Sequence, residues 1–88
     1  MDRIRIEHYA GDDANAHAFV GIGFHLWFSY ETCVAFATKG YVVVSENAWS
    51  TTTGRHIGCI PHDKRHRIPL EEFEAKLRKF LDAHGLIG

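Results

Sequence analysis

From Val20 to Phe28 the chain alternates. Val20, Ile22, Phe24, Leu26 and Phe28 are large and apolar, and Gly21, Gly23, His25 and Trp27 stand between them. Successive side chains of a strand point to opposite faces, so this pattern predicts a strand with one face made for a core. The two glycines leave the second face bare and mark a bulge or a close approach. A second strand is predicted over Thr32–Thr38, and Ser29-Tyr30-Glu31 is short enough to be the hairpin connection between the two. Lys39-Gly40 then leads into Tyr41-Val42-Val43-Val44-Ser45, with the glycine supplying the positive φ of a tight turn. Three strands joined this closely can only run as an antiparallel meander. Asp2 to Tyr9 also alternates and predicts a further strand at an edge, followed by turn chemistry in Gly11-Asp12-Asp13-Ala14-Asn15.

After the strands the period changes. Ser50 is a good N-cap residue, with Thr51, Thr52 and Thr53 behind it, and predicts a short helix over about Thr51 to Cys59. Its composition works against it, because β-branched threonines, Gly54 and Gly58 are poor helix formers. Pro61 ends it, and the run from His62 to Arg67 reads as a polar linker. Pro69 opens a last helix running to about His84. Leu70, Phe73, Leu77, Phe80 and Leu81 make its apolar stripe, and Gly85 is its natural C′ residue. Glu71, Glu72 and Glu74 precede Lys76, Arg78 and Lys79, an order that suits the helix dipole and offers Glu72–Lys76 and Glu74–Arg78 as pairs.

The expected fold is therefore α+β. A three- or four-stranded antiparallel sheet packs on a C-terminal helix, with a short helix after the sheet, in one small domain of 88 residues. The C-terminal stripe is expected to lie on the Phe24, Leu26 and Phe28 face. One helix covers one face, so the other (His25, Trp27, Cys33, Ala35 and Ala37) is expected to be an open surface for a partner or a second copy.

Ten basic residues against eleven acidic ones exclude a polycation that wraps nucleic acid. Seven histidines would make the chain positive on mild acidification. Two cysteines, Cys33 and Cys59, and an N-terminal segment without an apolar core predict a reducing, cytoplasmic setting. The apolar runs fall far short of the about 20 residues of a membrane span.

Several groups of residues invite chemistry. Cys59, His62 and His66 have a spacing that presents three zinc ligands, with Cys33, His56 or Asp63 for a fourth. The second pair of a closed zinc site is missing, so neither metal nor cofactor is expected. Arg55, His56, Lys64, Arg65 and Arg67 form a basic segment beside a threonine-rich helix start, suited to a phosphate. Trp27, Trp49, Tyr30 and Tyr41 are available to stack on bases. Cys33, Cys59, Ser45 and Ser50 are conceivable nucleophiles, but no catalytic motif surrounds them, and no enzyme is expected.

The stretch Ser29-Tyr30-Glu31-Thr32-Cys33-Val34-Ala35-Phe36, with Val44 to Ile57 behind it, resembles a widespread type of small protein from phages and related mobile elements. Those proteins carry SYxTxVA, a short strand, and then (W/Y)SxTTx(K/R)H. The resemblance covers about Leu26 to Ile60. It falls on Tyr30, Thr32, Asn47, Trp49, Ser50, Thr52, Thr53, Arg55 and His56 as signature binding residues, and this chain departs from the pattern at Gly58-Cys59. It implies a context rather than a reaction: a non-enzymatic accessory protein that binds a host or phage macromolecule, in its sharpest form an inhibitor of a host defence complex. The alternative expectation is a small nucleic-acid-binding protein using Arg55, His56 and the Lys64 to Arg67 segment.

Overall fold

The computed structural model describes residues 5–11 and 13–85. The first three residues of the expected Asp2–Tyr9 strand, and Asp12 of the loop after it, lie outside the described residues. Five strands form one antiparallel meander in sequence order: β1 (Arg5–His8), β2 (Ala16–Gly21), β3 (Phe24–Ser29), β4 (Thr32–Thr38) and β5 (Tyr41–Val44). Two helices follow, α1 (Thr51–Gly58) and α2 (Leu70–Ala83), with a 3₁₀ turn at Lys64–His66 between them. The fold is α+β, and no described helix is long and apolar enough to cross a membrane.

The sheet has five strands because the Val20 to Phe28 run is two strands, not one. Gly21 pairs with Phe24 across a two-residue turn at Ile22-Gly23, where Gly23 has φ +82° and Ile22 is 71% exposed. Cross-strand partners share a face. Passing the turn therefore inverts the parity of the alternation, and Val20 lies beside His25 rather than beside Phe24. The Phe24 ring lies over Gly21, in the space a Cβ would take, which accounts for the glycine.

α2 packs as its stripe predicts. Phe73 and Phe80 are buried against Leu26 and Phe36, with Phe24, Phe28, Leu70, Leu77 and Leu81 around them. Each fully buried phenyl ring contributes roughly 1.5–3 kcal/mol. Glu72–Lys76 and Glu74–Arg78 do not close; the ion pairs formed by the described residues lie elsewhere. Gly85 takes φ +68° beyond the helix end.

The opposite face corrects an expectation. It is covered, not open. α1 sets Ile57, and Ile60 just beyond it, on Ala18, Trp27, Val34, Ala35 and Val44. Trp27 is 6% exposed and Ala35 is fully buried. The small alanines that looked like a bare surface are the space into which a helix fits. On that face His25 and Ala37 stay half-buried, and the His25 ring stacks on the Trp27 indole at 4.0 Å. Cys33 faces α2 instead. Phe28 pairs with Cys33 while Trp27 pairs with Ala35, so Val34 is an extra residue that shifts the alternation of β4.

Beyond β5, Ser45 bridges in parallel to Ile68, with Glu46 N–H donating to the Ile68 carbonyl at 2.8 Å. The linker thus tacks onto the β5 side. β1 forms the other edge, and its four residues are exposed.

Candidate functional site

The signature residues converge on His56. α1 begins at the Ser50 cap, whose Oγ accepts the Thr53 N–H at 3.1 Å. One turn further on, the helix carries His56 inward, to 1% exposure. Both ring nitrogens are engaged there. Nε2 lies 2.6 Å from Asp13 Oδ2, and Nδ1 lies 2.7 Å from Ser29 Oγ. Ser29 Oγ is also 3.0 Å from Thr53 Oγ1, which lies 3.3 Å from Ser50 Oγ. The chain Asp13–His56–Ser29–Thr53–Ser50 joins the β1–β2 loop, the end of β3 and the start of α1.

Each polar side-chain atom of this chain of contacts has a partner. The imidazole donates from Nε2 to the carboxylate, and Nδ1 shares a hydrogen with the Ser29 hydroxyl. Ser50 Oγ donates to Thr53 Oγ1, which also lies within hydrogen-bond distance of Ser29 Oγ. Among the described residues, no buried side-chain polar atom is left without a partner. Networks of this kind hold elements in register only when complete. The hydrogen bond from His56, with a smaller one from the Asn15 backbone, lowers the Asp13 carboxyl below its ordinary range. Arg55 adds to this from 3.9 Å.

Two tyrosines flank the histidine. Tyr9 presents its ring edge to it at 6.4 Å and donates its hydroxyl to the Phe28 carbonyl at 3.0 Å. Burial raises the Tyr9 hydroxyl well above the usual phenol range. Tyr30 lies 5.9 Å from the imidazole on the β3–β4 turn, 46% exposed and with φ +56°. A left-handed backbone normally selects glycine, and a tyrosine there is strained.

Asn47 completes the approach to α1. Its amide donates to the Ser50 carbonyl at 3.0 Å and accepts the Trp49 N–H at 3.0 Å. Gly54 faces that amide, and a Cβ at position 54 would stand 2.7 Å from Asn47 Nδ2. The residue that looked like a flaw in the helix is the opening that admits Asn47.

A family model, described as a family of unknown function (DUF8033), matches residues 4–75. The chain belongs to DUF8033. No curated protein and no solved structure matches it. The DUF8033 match takes in the sheet, α1 and the whole Asp13–His56–Ser29 network, and ends before Leu77 and Phe80 of α2.

Of the signature residues of this DUF8033 protein, Thr53 and His56 point into the protein and are not surface binding groups. Ser50 and Asn47 are spent on the helix start. Thr52 is half-buried and Thr32 is exposed at the start of β4. The exposed large side chains are Tyr30, Trp49 and Arg55.

The basic segment is altered in the same way. His56 cannot meet a phosphate from the interior. Arg65 donates twice to the Asp63 carboxylate, at 3.1 and 2.9 Å, and this holds the Asp63 carboxyl down at about 2. Arg67 donates from Nε to His62 Nε2 at 2.9 Å. Arg55, Lys64 and Arg65 are nevertheless exposed, and Arg67 is half-buried.

The structure does not bring Cys59, His62 and His66 together as one group of ligands. No metal-holding group of His, Cys, Asp and Glu is found among the described residues. His62 is committed elsewhere, because its Nδ1 donates to the Ile60 carbonyl at 2.6 Å while Nε2 accepts from Arg67. Burial pushes the Cys33 thiol up to about 12, which removes it as a nucleophile.

Sequence reasoning missed Asp13 and Ser29, which read as turn residues. Ser29 was visible only as the first letter of the signature. Asp13 carried no signal, since 43 residues separate it from its partner.

Proposed function

We propose that this DUF8033 protein is a non-enzymatic accessory protein of a phage or mobile element, acting in the host cytoplasm by binding a macromolecule. Inhibition of a host defence complex is the sharpest form of the reading. One observation carries it: the signature divides into a buried latch and an exposed display. The display consists of Tyr30, Trp49 and Arg55, the three residue types that dominate binding hot spots. Tyr30 is kept there in a backbone conformation that costs stability.

The Ser29–His56–Asp13 order superficially matches that of a nucleophile, base and orienting acid. Ser29 is 2% exposed, and Thr53 and His56 occupy its hydroxyl. The order serves as a brace in this reading. The phage context rests on the resemblance of the Leu26 to Ile60 stretch, and binding rests on the display.

The test is a tagged pull-down from bacterial lysate, with and without nuclease, compared with a Tyr30→Ala/Trp49→Ala/Arg55→Ala variant. A stoichiometric protein retained after nuclease and lost with the variant supports the proposal. Retention that disappears on nuclease treatment, and falls steeply with salt, moves the assignment to nucleic acid. Equal retention by both forms overturns the display.

A further inference from the structure

The β1 edge goes beyond this reading. β1 borders the sheet and has all four residues exposed, while the β5 side is bridged by Ile68. Tyr9 N–H donates to the Ala16 carbonyl at 3.3 Å, continuing the β1–β2 register. Backbone groups along an antiparallel strand alternate in direction. Arg5, Glu7 and Tyr9 therefore turn their N–H and C=O groups toward β2, and Ile6 and His8 turn theirs outward.

An added antiparallel strand must match outward residues to outward residues. For a second copy related by a two-fold axis, the register is then centred on one residue. Among the described residues, centring on Arg5 sets Arg5 against Arg5, and centring on Glu7 sets Glu7 against Glu7; both oppose like charges. Centring on His8 leaves Arg5 and Glu7 without opposite charges across the seam. Centring on Ile6 sets Arg5 opposite the other copy's Glu7, twice, and Ile6 opposite Ile6. Within one copy Arg5 already lies 3.2 Å from Glu7, so the four charges would alternate in sign. Ile6 is 66% exposed and shares a face with its partner Phe19, which packs on Phe28 at 5.2 Å. The seam would cover this apolar end of the sheet. Charges usually guard an edge strand against pairing; here their order is self-complementary.

We propose that two copies of this chain pair antiparallel along β1, centred on Ile6, into one continuous sheet. The test is sedimentation of the full chain over a range of concentrations, without lysate or partner, so its outcome is independent of the binding display. A dimer is expected. Arg5→Glu, which opposes glutamates across the seam, should weaken it by about tenfold or more. Arg5→Glu/Glu7→Arg, or an equimolar mixture of Arg5→Glu and Glu7→Arg, should restore it. These side chains are exposed, and far-UV circular dichroism checks that each variant folds. A wild-type chain that stays monomeric to roughly 1 mM overturns the proposal. A dimer indifferent to Arg5→Glu, or one that the double exchange does not restore, overturns it equally.

Discussion

His56 and Asp13, 43 residues apart in sequence, meet through Nε2 and Oδ2 at 2.6 Å, with the imidazole buried and the carboxylate at the surface. This contact ties the β1–β2 loop to α1, while Ser29 on the other ring nitrogen ties α1 to β3. Replacing His56 by Ala leaves a void and strips a partner from both. The expected loss is about 2–4 kcal/mol, read from chemical unfolding. In a double-mutant cycle with Asp13→Ala the two losses should be less than additive. Additive losses would mean that the two side chains do not act together.

The same contact fixes a pH dependence. The Asp13 carboxyl is lowered by its hydrogen bond from His56. A depressed carboxyl contributes stability that is fully present above its unfolded value, about 3.9, and is lost as pH falls through the folded value. Asp13→Asn should therefore be less stable than wild type at neutral pH, with the gap narrowing below about pH 4. A gap that stays constant into the acid range would contradict the assignment. Asp63, held at about 2 by Arg65, should behave in the same sense and lose its contribution progressively between about pH 4 and that value.

Gly54 gives a prediction opposite in sign to helix propensity. Propensity alone says that Ala in a helix interior is better by about 1 kcal/mol. The Asn47 amide occupies the place of the new methyl and is itself fixed to Ser50 and Trp49. Gly54→Ala should therefore lower the thermal midpoint. An increase would show that Asn47 is free to move aside.

Tyr30 offers a comparison of two truncations. Both Ala and Gly remove the ring beside His56, but only Gly accepts φ +56° without strain. Tyr30→Gly should be more stable than Tyr30→Ala by about 1 kcal/mol, the cost of a left-handed L-residue less the extra entropy of glycine. Equal stabilities would argue against the left-handed turn.

What was legible in the sequence is what repeats locally. Thr32–Thr38 kept its boundaries, and the α2 stripe found the Phe24 and Leu26 face, because each is read within a few residues. Val20 to Phe28 misled because a two-residue turn preserves the look of alternation while reversing its meaning. The Trp27 face misled because Ala35 and Ala37 look alike whether they face water or a helix. Ser50 as a cap was readable from its neighbours. Ser29 and Asp13 were not, since their role exists only once α1 has folded back across the sheet.

The most direct measurement sets the latch against the display. Unfolding midpoint and partner retention would be recorded side by side for wild type, His56→Ala and Trp49→Ala/Arg55→Ala. The display variant should unfold close to wild type and retain no partner, while His56→Ala should lose stability. A display variant that retains its partner at the wild-type level would contradict the division of the signature on which this account rests.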